Sequence, residues 1–158
     1  MVTKQGPKVL EFNCRMGDPE TQAIVMRADF DFVQACMAAA KGDLNGFEAK
    51  WSPAASVCVV MASRGYPENA EIGEKISGLD SAGRAKGATV FHAGVRKEGS
   101  EYYTNGGRVL GVTKAACDLT SCRSELYAVC RSVKFAGAQF RSDIAVAAKA
   151  KTQGFCGG

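Results

Sequence analysis

"YYTNGGRVLGVT", residues 102–113, sets two short runs of strand-forming residues on either side of Asn105-Gly106-Gly107. Asn and Gly reach positive φ at little cost, so these three residues read as the turn of a β-hairpin whose arms are 102–104 and 108–113. Upstream, residues 57–62 are apolar throughout, as in a strand buried on both faces. Arg64-Gly65-Tyr66-Pro67 follows as a turn, because Pro67 cannot continue a central strand. Residues 88–93 read as a further strand. Downstream, Leu119, Cys122, Leu126, Val129 and Val133 step by three and four, which predicts an amphipathic helix over 118–133. An alanine-rich run over 144–150 predicts a last short helix, and the Gly/Cys tail reads as disordered.

Toward the N-terminus the pattern changes. Residues 9–13 alternate as a strand does. Asp18-Pro19 then reads as a helix start, with Asp18 as N-cap and Pro19 in the first helical position, the helix reaching about residue 26. Asp29 looks like a second cap, ahead of Phe30, Val33, Met37 and Ala40 at helical spacing, with Gly42 as the stop. A polar loop over 43–53 surrounds the only Trp and marks a boundary. The expectation is an α+β chain of two units, 1–46 and 47–152, with a disordered tail at 153–158.

Composition narrows the function classes. A net charge of +4 without a Lys/Arg run argues against nucleic acid as a partner. The longest apolar stretch, 57–62, is far too short to span a bilayer, and the polar N-terminus shows no signal peptide, so the expected location is cytoplasmic. Seven cysteines without a CxxC pair, beside a single His92, read as reduced, buried thiols rather than a disulfide framework or a zinc site.

On a strand, Glu11, Asn13 and Arg15 would share one face. A carboxylate beside an amide oxygen offers hard ligands suited to Mg²⁺, and a guanidinium can hold a phosphate in its fork. The same alternation also describes the wet face of an antiparallel strand. Arg141 and Asp143 read equally well as a surface ion pair, and His92 as a hydrogen-bonded strand residue outside any site.

Six motifs in a fixed order carry a resemblance: "GPKVLEFNCRMGDPETQ" (6–22), "ASRGYP" (62–67), "ISGL" (76–79), "VFHAG" (90–94), "TNGGRVLGVT" (104–113) and "FRSDIA" (140–145). Together they closely resemble the C-terminal third of the phosphoribosylamine–glycine ligase family, ATP-grasp enzymes of purine synthesis. The resemblance implies that 1–46 is the tail of an ATP-grasp domain, made of a strand and helices. It implies that 47–152 is a small C-terminal domain of short antiparallel strands with one or two helices. It implies ATP as co-substrate, glycine and 5-phosphoribosylamine as the molecules joined, and Mg²⁺ or Mn²⁺ as cofactor. Carried over residue by residue, Glu11 and Asn13 become metal ligands and Arg15 the catalytic cation. Gly17, Asp18 and Pro19 face the reacting centre, and Asn105, Gly106, Gly107 and Arg108 become a backbone nest and cation for the 5-phosphate.

The chain departs from the family at Glu68-Asn69-Ala70-Glu71-Ile72-Gly73 and at Val95. It also lacks the family's glycine-rich loop, adenine pocket and phosphate lysines. The expectation is therefore a piece of the ligase, inactive alone: an incomplete gene model, a split gene whose partner is a separately encoded N-terminal part, or a domain cut out of a longer chain. The alternative is a non-catalytic module binding a phosphorylated sugar or a protein.

Overall fold

The structure, a computed structural model, describes residues 1–85 and 87–146. Its first strands, β1 (Val2–Thr3) and β2 (Gly6–Pro7), form a minimal antiparallel hairpin. Residues 9–13, expected as a strand, form none: no described segment pairs with them, and Phe12 is 85% exposed. A strand is defined by its partner's hydrogen bonds, which alternation of side chains cannot supply.

Helix α1 (Glu20–Val25) ends near residue 26 as expected, but its N-cap is Pro19. Asp18 makes no cap because its carboxylate turns instead to Gln22 and Arg108. Helix α2 (Phe32–Lys41) is capped by Asp31, whose Oδ1 accepts the N–H groups of Val33 and Gln34 at 2.9 and 3.0 Å. The expected cap, Asp29, lies two residues too early, where its N–H donates to the Lys50 carbonyl beside an Ala28–Trp51 bridge. Gly42, at φ 69°, stops α2 as predicted. Phe30 packs against Phe32, Phe47 and Trp51, but α2 itself buries no residue.

The core begins at β3 (Ala55–Ala62). After it come β4 (Lys75–Ile76), α3 (Leu79–Gly83), β5 (Ala88–His92), β6 (Val95–Glu98), β7 (Glu101–Thr104), β8 (Arg108–Ala116) and α4 (Leu119–Ser132). Two three-stranded antiparallel sheets result, in the orders β3-β8-β5 and β4-β7-β6. Val57, Val59 and Met61 of β3 join Leu110 and Val112 of β8 in one buried cluster with Cys122, Leu126, Val129 and Cys130 of α4. The other face of β3 is only half-buried, contrary to the expectation of burial on both, and there α1 lies across the sheet. Gly111 faces that helix, where a Cβ would make ordinary contacts 3.4 Å from Cys58 Sγ and 3.6 Å from Gln22 Cγ. Helix α4 matches its prediction, with the Asp118 side chain accepting the Ser121 N–H as N-cap.

The hairpin expected at Asn105-Gly106-Gly107 is absent. β7 and β8 belong to different sheets, and none of the three residues has positive φ. The real reversal is Gly99-Ser100, where Glu98 pairs with Glu101 and Gly99 takes φ 57°. From that turn two chains run back side by side, first as β6–β7 and then as β5–β8. They bend between sheets where Gly94 meets Gly106. A Cβ on Gly94 would lie 2.8 Å from Gly106 Cα and 2.7 Å from the Arg108 carbonyl, so these glycines serve a close crossing rather than a turn. Of the helix expected over 144–150, residues 144–146 form a turn instead, with Val146 N–H donating to Asp143 O. The remainder, and the tail at 153–158, lie outside the described residues.

Candidate functional site

At the seam between α1 and the core sheet opens a cleft of about 510 Å³, within the usual range for small-molecule sites. Its walls bring together motifs far apart in sequence: Pro19 ahead of α1, Ala62 at the end of β3 and Tyr66 after it, Arg108 at the start of β8, and Phe140, Arg141 and Ile144 after α4. The apolar floor comes from Cys58 and Val60 on the half-buried face of β3.

Each wall is tied down by hydrogen bonds. Gln139 exchanges backbone bonds with Ala62, and its side-chain amide donates to the carbonyls of Ser63 (2.8 Å) and Tyr66 (3.2 Å), fixing the loop that carries Tyr66. Ser63 donates through Oγ to Gly106 O and through its N–H to Gly107 O, both at 2.9 Å. These contacts use the carbonyls of the glycine pair and leave the N–H groups of Gly106 and Gly107 without an acceptor among the described residues. On the far wall α4 holds the last segment. Tyr127 donates its hydroxyl to Arg141 O at 2.7 Å and accepts the Ile144 N–H at 3.2 Å, while the Arg123 guanidinium donates to Ser142 O and Ile144 O.

Two arginines stand at the cleft, and each faces a carboxylate. Arg141 makes a two-pronged pair with Asp143 (2.9 and 2.7 Å), which raises the Arg141 pKa and lowers that of Asp143. Arg108 bridges ninety residues of chain to Asp18: Nη2 lies 3.0 Å from Asp18 Oδ2, and Nη1 donates to the Asp18 carbonyl at 3.1 Å. The second oxygen of Asp18 accepts from Gln22 Nε2 at 2.9 Å. Because both partners of the Arg108–Asp18 pair are about half exposed, the pair contributes roughly 0–1 kcal/mol. Burial pushes the Cys58 thiol pKa up and the Asp18 charge adds to it, against a partial lowering by Thr113. Cys58 is thus a neutral thiol in the cleft floor rather than a nucleophile. These groups equip the cleft to bind an anion attached to a partly apolar body.

The predicted residues divide accordingly. Pro19 and Arg108 line the cleft, and Asp18 touches Arg108. Asn105, Gly106 and Gly107 form the bend that precedes Arg108 without lining the cleft. A Cβ on Gly107 would strike the Tyr66 ring, so this glycine makes room for the wall. Glu11 and Asn13 do come together, with Asn13 Nδ2 donating to Glu11 Oε1 at 3.3 Å, but on an exposed segment outside the cleft. Among the described residues Arg15 donates only to the Met16 carbonyl, and the Gly17 carbonyl accepts the Thr21 N–H in the first turn of α1. One carboxylate and one amide oxygen suit a hard cation that completes its shell with water and substrate oxygens. Among the described residues no group of three or more His, Cys, Asp or Glu could hold a metal by itself. His92 packs edge-on against Tyr102 and takes no part in the cleft. The sequence reading missed the roles of Tyr66, Gln139, Arg123 and Tyr127. Tyr66 carried a signal, its place within a quoted motif. The other three carried none, since their partners are distant in sequence.

Cysteines follow the thiol reading in part. Cys122 and Cys130 are buried, and burial pushes Cys130 up to about 12, but Cys14, Cys36 and Cys117 are exposed.

A cleft walled by separately placed motifs on this pair of sheets defines a class of domain. Residues 56–147 match the family model described as phosphoribosylglycinamide synthetase, C domain, and the chain belongs to that family. Its relatives are phosphoribosylamine–glycine ligases. That of Vibrio vulnificus (strain YJ016) is 42% identical over 97% of this chain, and that of Vibrio cholerae serotype O1 is 44% identical over 93%. The crystal structure of phosphoribosylamine–glycine ligase from Thermotoga maritima matches with a TM-score of 0.72 at 33% identity, over 90% of this chain and 34% of that one. The chain spans about a third of the length of these relatives, 36% of the Vibrio vulnificus protein.

Proposed function

We propose that this chain supplies the C-terminal third of a phosphoribosylamine–glycine ligase, which joins glycine to 5-phosphoribosylamine with hydrolysis of ATP. The observation that carries the reading is the convergence of four motifs, through Pro19, Tyr66, Arg108 and Arg141, on one cleft. The 42% identity to a named ligase across nearly the whole chain supports it. On this reading residues 1–46 belong to the catalytic domain and 47–152 to the C-terminal domain, and the chain works in the cytoplasm. Among the described residues no helix is long and apolar enough to cross a membrane.

The chemistry must bring the glycine carboxylate to the terminal phosphate of ATP, and then the sugar amine to the resulting glycyl phosphate. Arg108, with the unoccupied N–H groups of Gly106 and Gly107 just before it in the chain, anchors the 5-phosphate. Tyr66 and Phe140 wall in the sugar and exclude water from it. Arg15 stabilises charge on the phosphate in transfer. Glu11 and Asn13 would supply two oxygen ligands to Mg²⁺ or Mn²⁺, which when bound neutralises the repulsion between the two anions. Gly17, Asp18 and Pro19 set the direction in which the chain enters α1 beside the cleft.

The test is reconstitution. The N-terminal two thirds of the Vibrio vulnificus relative, joined to or mixed with this chain, should release ADP only when glycine and phosphoribosylamine are both present. A folded hybrid that turns over neither substrate would overturn the reading.

A further inference from the structure

We propose that Asp18 is a specificity-determining residue. Its carboxylate and backbone carbonyl together occupy the anion fork of Arg108 and so restrict the cleft to ligands bearing a doubly charged phosphate. This rests on the reading of Arg108 as the phosphate anchor.

Three observations lead there. First, the fork is filled: Arg108 Nη2 meets Asp18 Oδ2 at 3.0 Å and Nη1 meets the Asp18 carbonyl at 3.1 Å, so any incoming anion competes with a group already in place. Second, the contact is made to be exchanged. Both side chains are about half exposed, which keeps the pair weak in water. A displaced Asp18 is not stranded, because its other oxygen keeps the Gln22 amide at 2.9 Å. Third, the segment that leads into Arg108 carries free donors. The N–H groups of Gly106 and Gly107, directly before Arg108, have no acceptor among the described residues, and a carboxylate reaching from Asp18 does not use them.

The selectivity follows from charge. A monocarboxylate brings Arg108 the same single charge and two oxygens, where Asp18 already provides one carboxylate oxygen and its own carbonyl with the advantage of being tethered. A phosphate monoester above its second pKa of about 6 carries nearly two charges and three acceptor oxygens, enough for the fork and the free N–H groups together. Phosphate therefore displaces Asp18, and a carboxylate does not.

Calorimetric titration at pH 7.5 and low salt tests this on the full chain with ribose 5-phosphate, inorganic phosphate and acetate as probes. Wild type should bind ribose 5-phosphate and inorganic phosphate and ignore acetate. Asp18→Asn should bind both phosphates about three- to tenfold more tightly and begin to bind acetate, the gain expected from releasing an exposed ion pair. Arg108→Gln should lose all anion binding in either background. Should Asp18→Asn fold poorly by near-ultraviolet circular dichroism, Asp18→Ser takes its place. If Arg108→Gln abolishes binding but removing the Asp18 charge leaves affinity unchanged or lower, Asp18 is a structural tie and the proposal fails while the anchor reading stands. If Arg108→Gln binds as wild type does, the anchor reading fails too. If no anion binds either wild type or the Asp18 variant, the proposal also fails; binding that appears only in the variant supports it.

Discussion

Residues 1–54 and residues 55–146 spend their apolar side chains differently. In the first region Val2, Val9, Phe12 and Val33 are 89%, 72%, 85% and 66% exposed, and not one residue is buried. In the second, Met61, Val109, Val112 and Leu126 are wholly buried. Both regions form helices with good caps, so capping and periodicity do not separate them. The difference is whether an apolar stripe has a surface to lie against. Leu126 meets a sheet, whereas Met37 and Val33 of α2 meet water. Burial of apolar area is the main favourable term in folding, so cooperative stability should reside almost entirely in the second region.

The sharpest way to break that contrast is a pair of truncations. Leu126→Ala should cost about 2–5 kcal/mol in urea unfolding, the range for emptying a fully packed leucine site. Met37→Ala, at 54% exposure, should stay within about 0.5 kcal/mol of wild type. Equal losses would mean that α2 is folded into the same cooperative unit as α4.

A second test concerns the bend between the two sheets. Gly94→Ala inserts a methyl 2.8 Å from Gly106 Cα, backbone against backbone, with no flexible side chain to yield. It should lower stability by about 1–3 kcal/mol, as overpacking does. Gly46→Ala, in the first region, meets nothing within 4 Å; its φ of 76° leaves only the backbone strain of the left-handed conformation, about 1–2 kcal/mol, and that strain should stay local. The urea midpoint should therefore move for Gly94→Ala and hold for Gly46→Ala.

The same bend marks how far the sequence could be read. The α4 helix was legible because everything that defines it is local: an Asp118 cap, a stripe at three and four, and Val133 to close it. The strand at 57–62 was legible for the same reason. Asn105-Gly106-Gly107 was misread because glycine has two uses, positive φ and close approach, and local sequence does not say which. Meanwhile Gly99-Ser100, a true two-residue hairpin loop, was passed over although its composition fits one. The cleft divides in the same way. Pro19 and Arg108 emerged from motif resemblance, but Gln139 acts through loops more than seventy residues away, and nothing beside it in the chain announces that.

Smaller effects probe the cleft wall. Tyr127→Phe keeps the ring against Phe140 and removes both hydrogen bonds to the 141–144 segment. The loss should be about 1–2 kcal/mol in total, with faster amide exchange at Ile144 than elsewhere in the wall. Uniform acceleration across the core would show that Tyr127 acts through packing alone.

The smallest expected effect compares the two capping aspartates. The Ser121 N–H, then the Ser121 hydroxyl and the Cys117 thiol, hold the Asp118 carboxyl down to about 2, against an ordinary 3.8. A carboxyl depressed by folding stabilises the native state above its unfolded pKa, and that contribution fades as pH falls from about 4 toward 2. Asp118→Asn keeps an acceptor at the cap but loses the proton linkage. Its urea midpoint should fall slightly below wild type at pH 5, and the gap should close by about pH 2. Comparing variant with wild type cancels the other acids that titrate in this window, including Asp143 and Glu101. Asp31 caps α2 by accepting two backbone N–H groups on one oxygen, but that helix buries nothing, so its fraying is local and should not move the global transition. Asp31→Asn should therefore leave the midpoint unchanged from pH 5 to 2 while reducing helical signal at residues 32–41. If Asp31→Asn shifts the midpoint as far as Asp118→Asn does, the two regions unfold together despite their difference in burial.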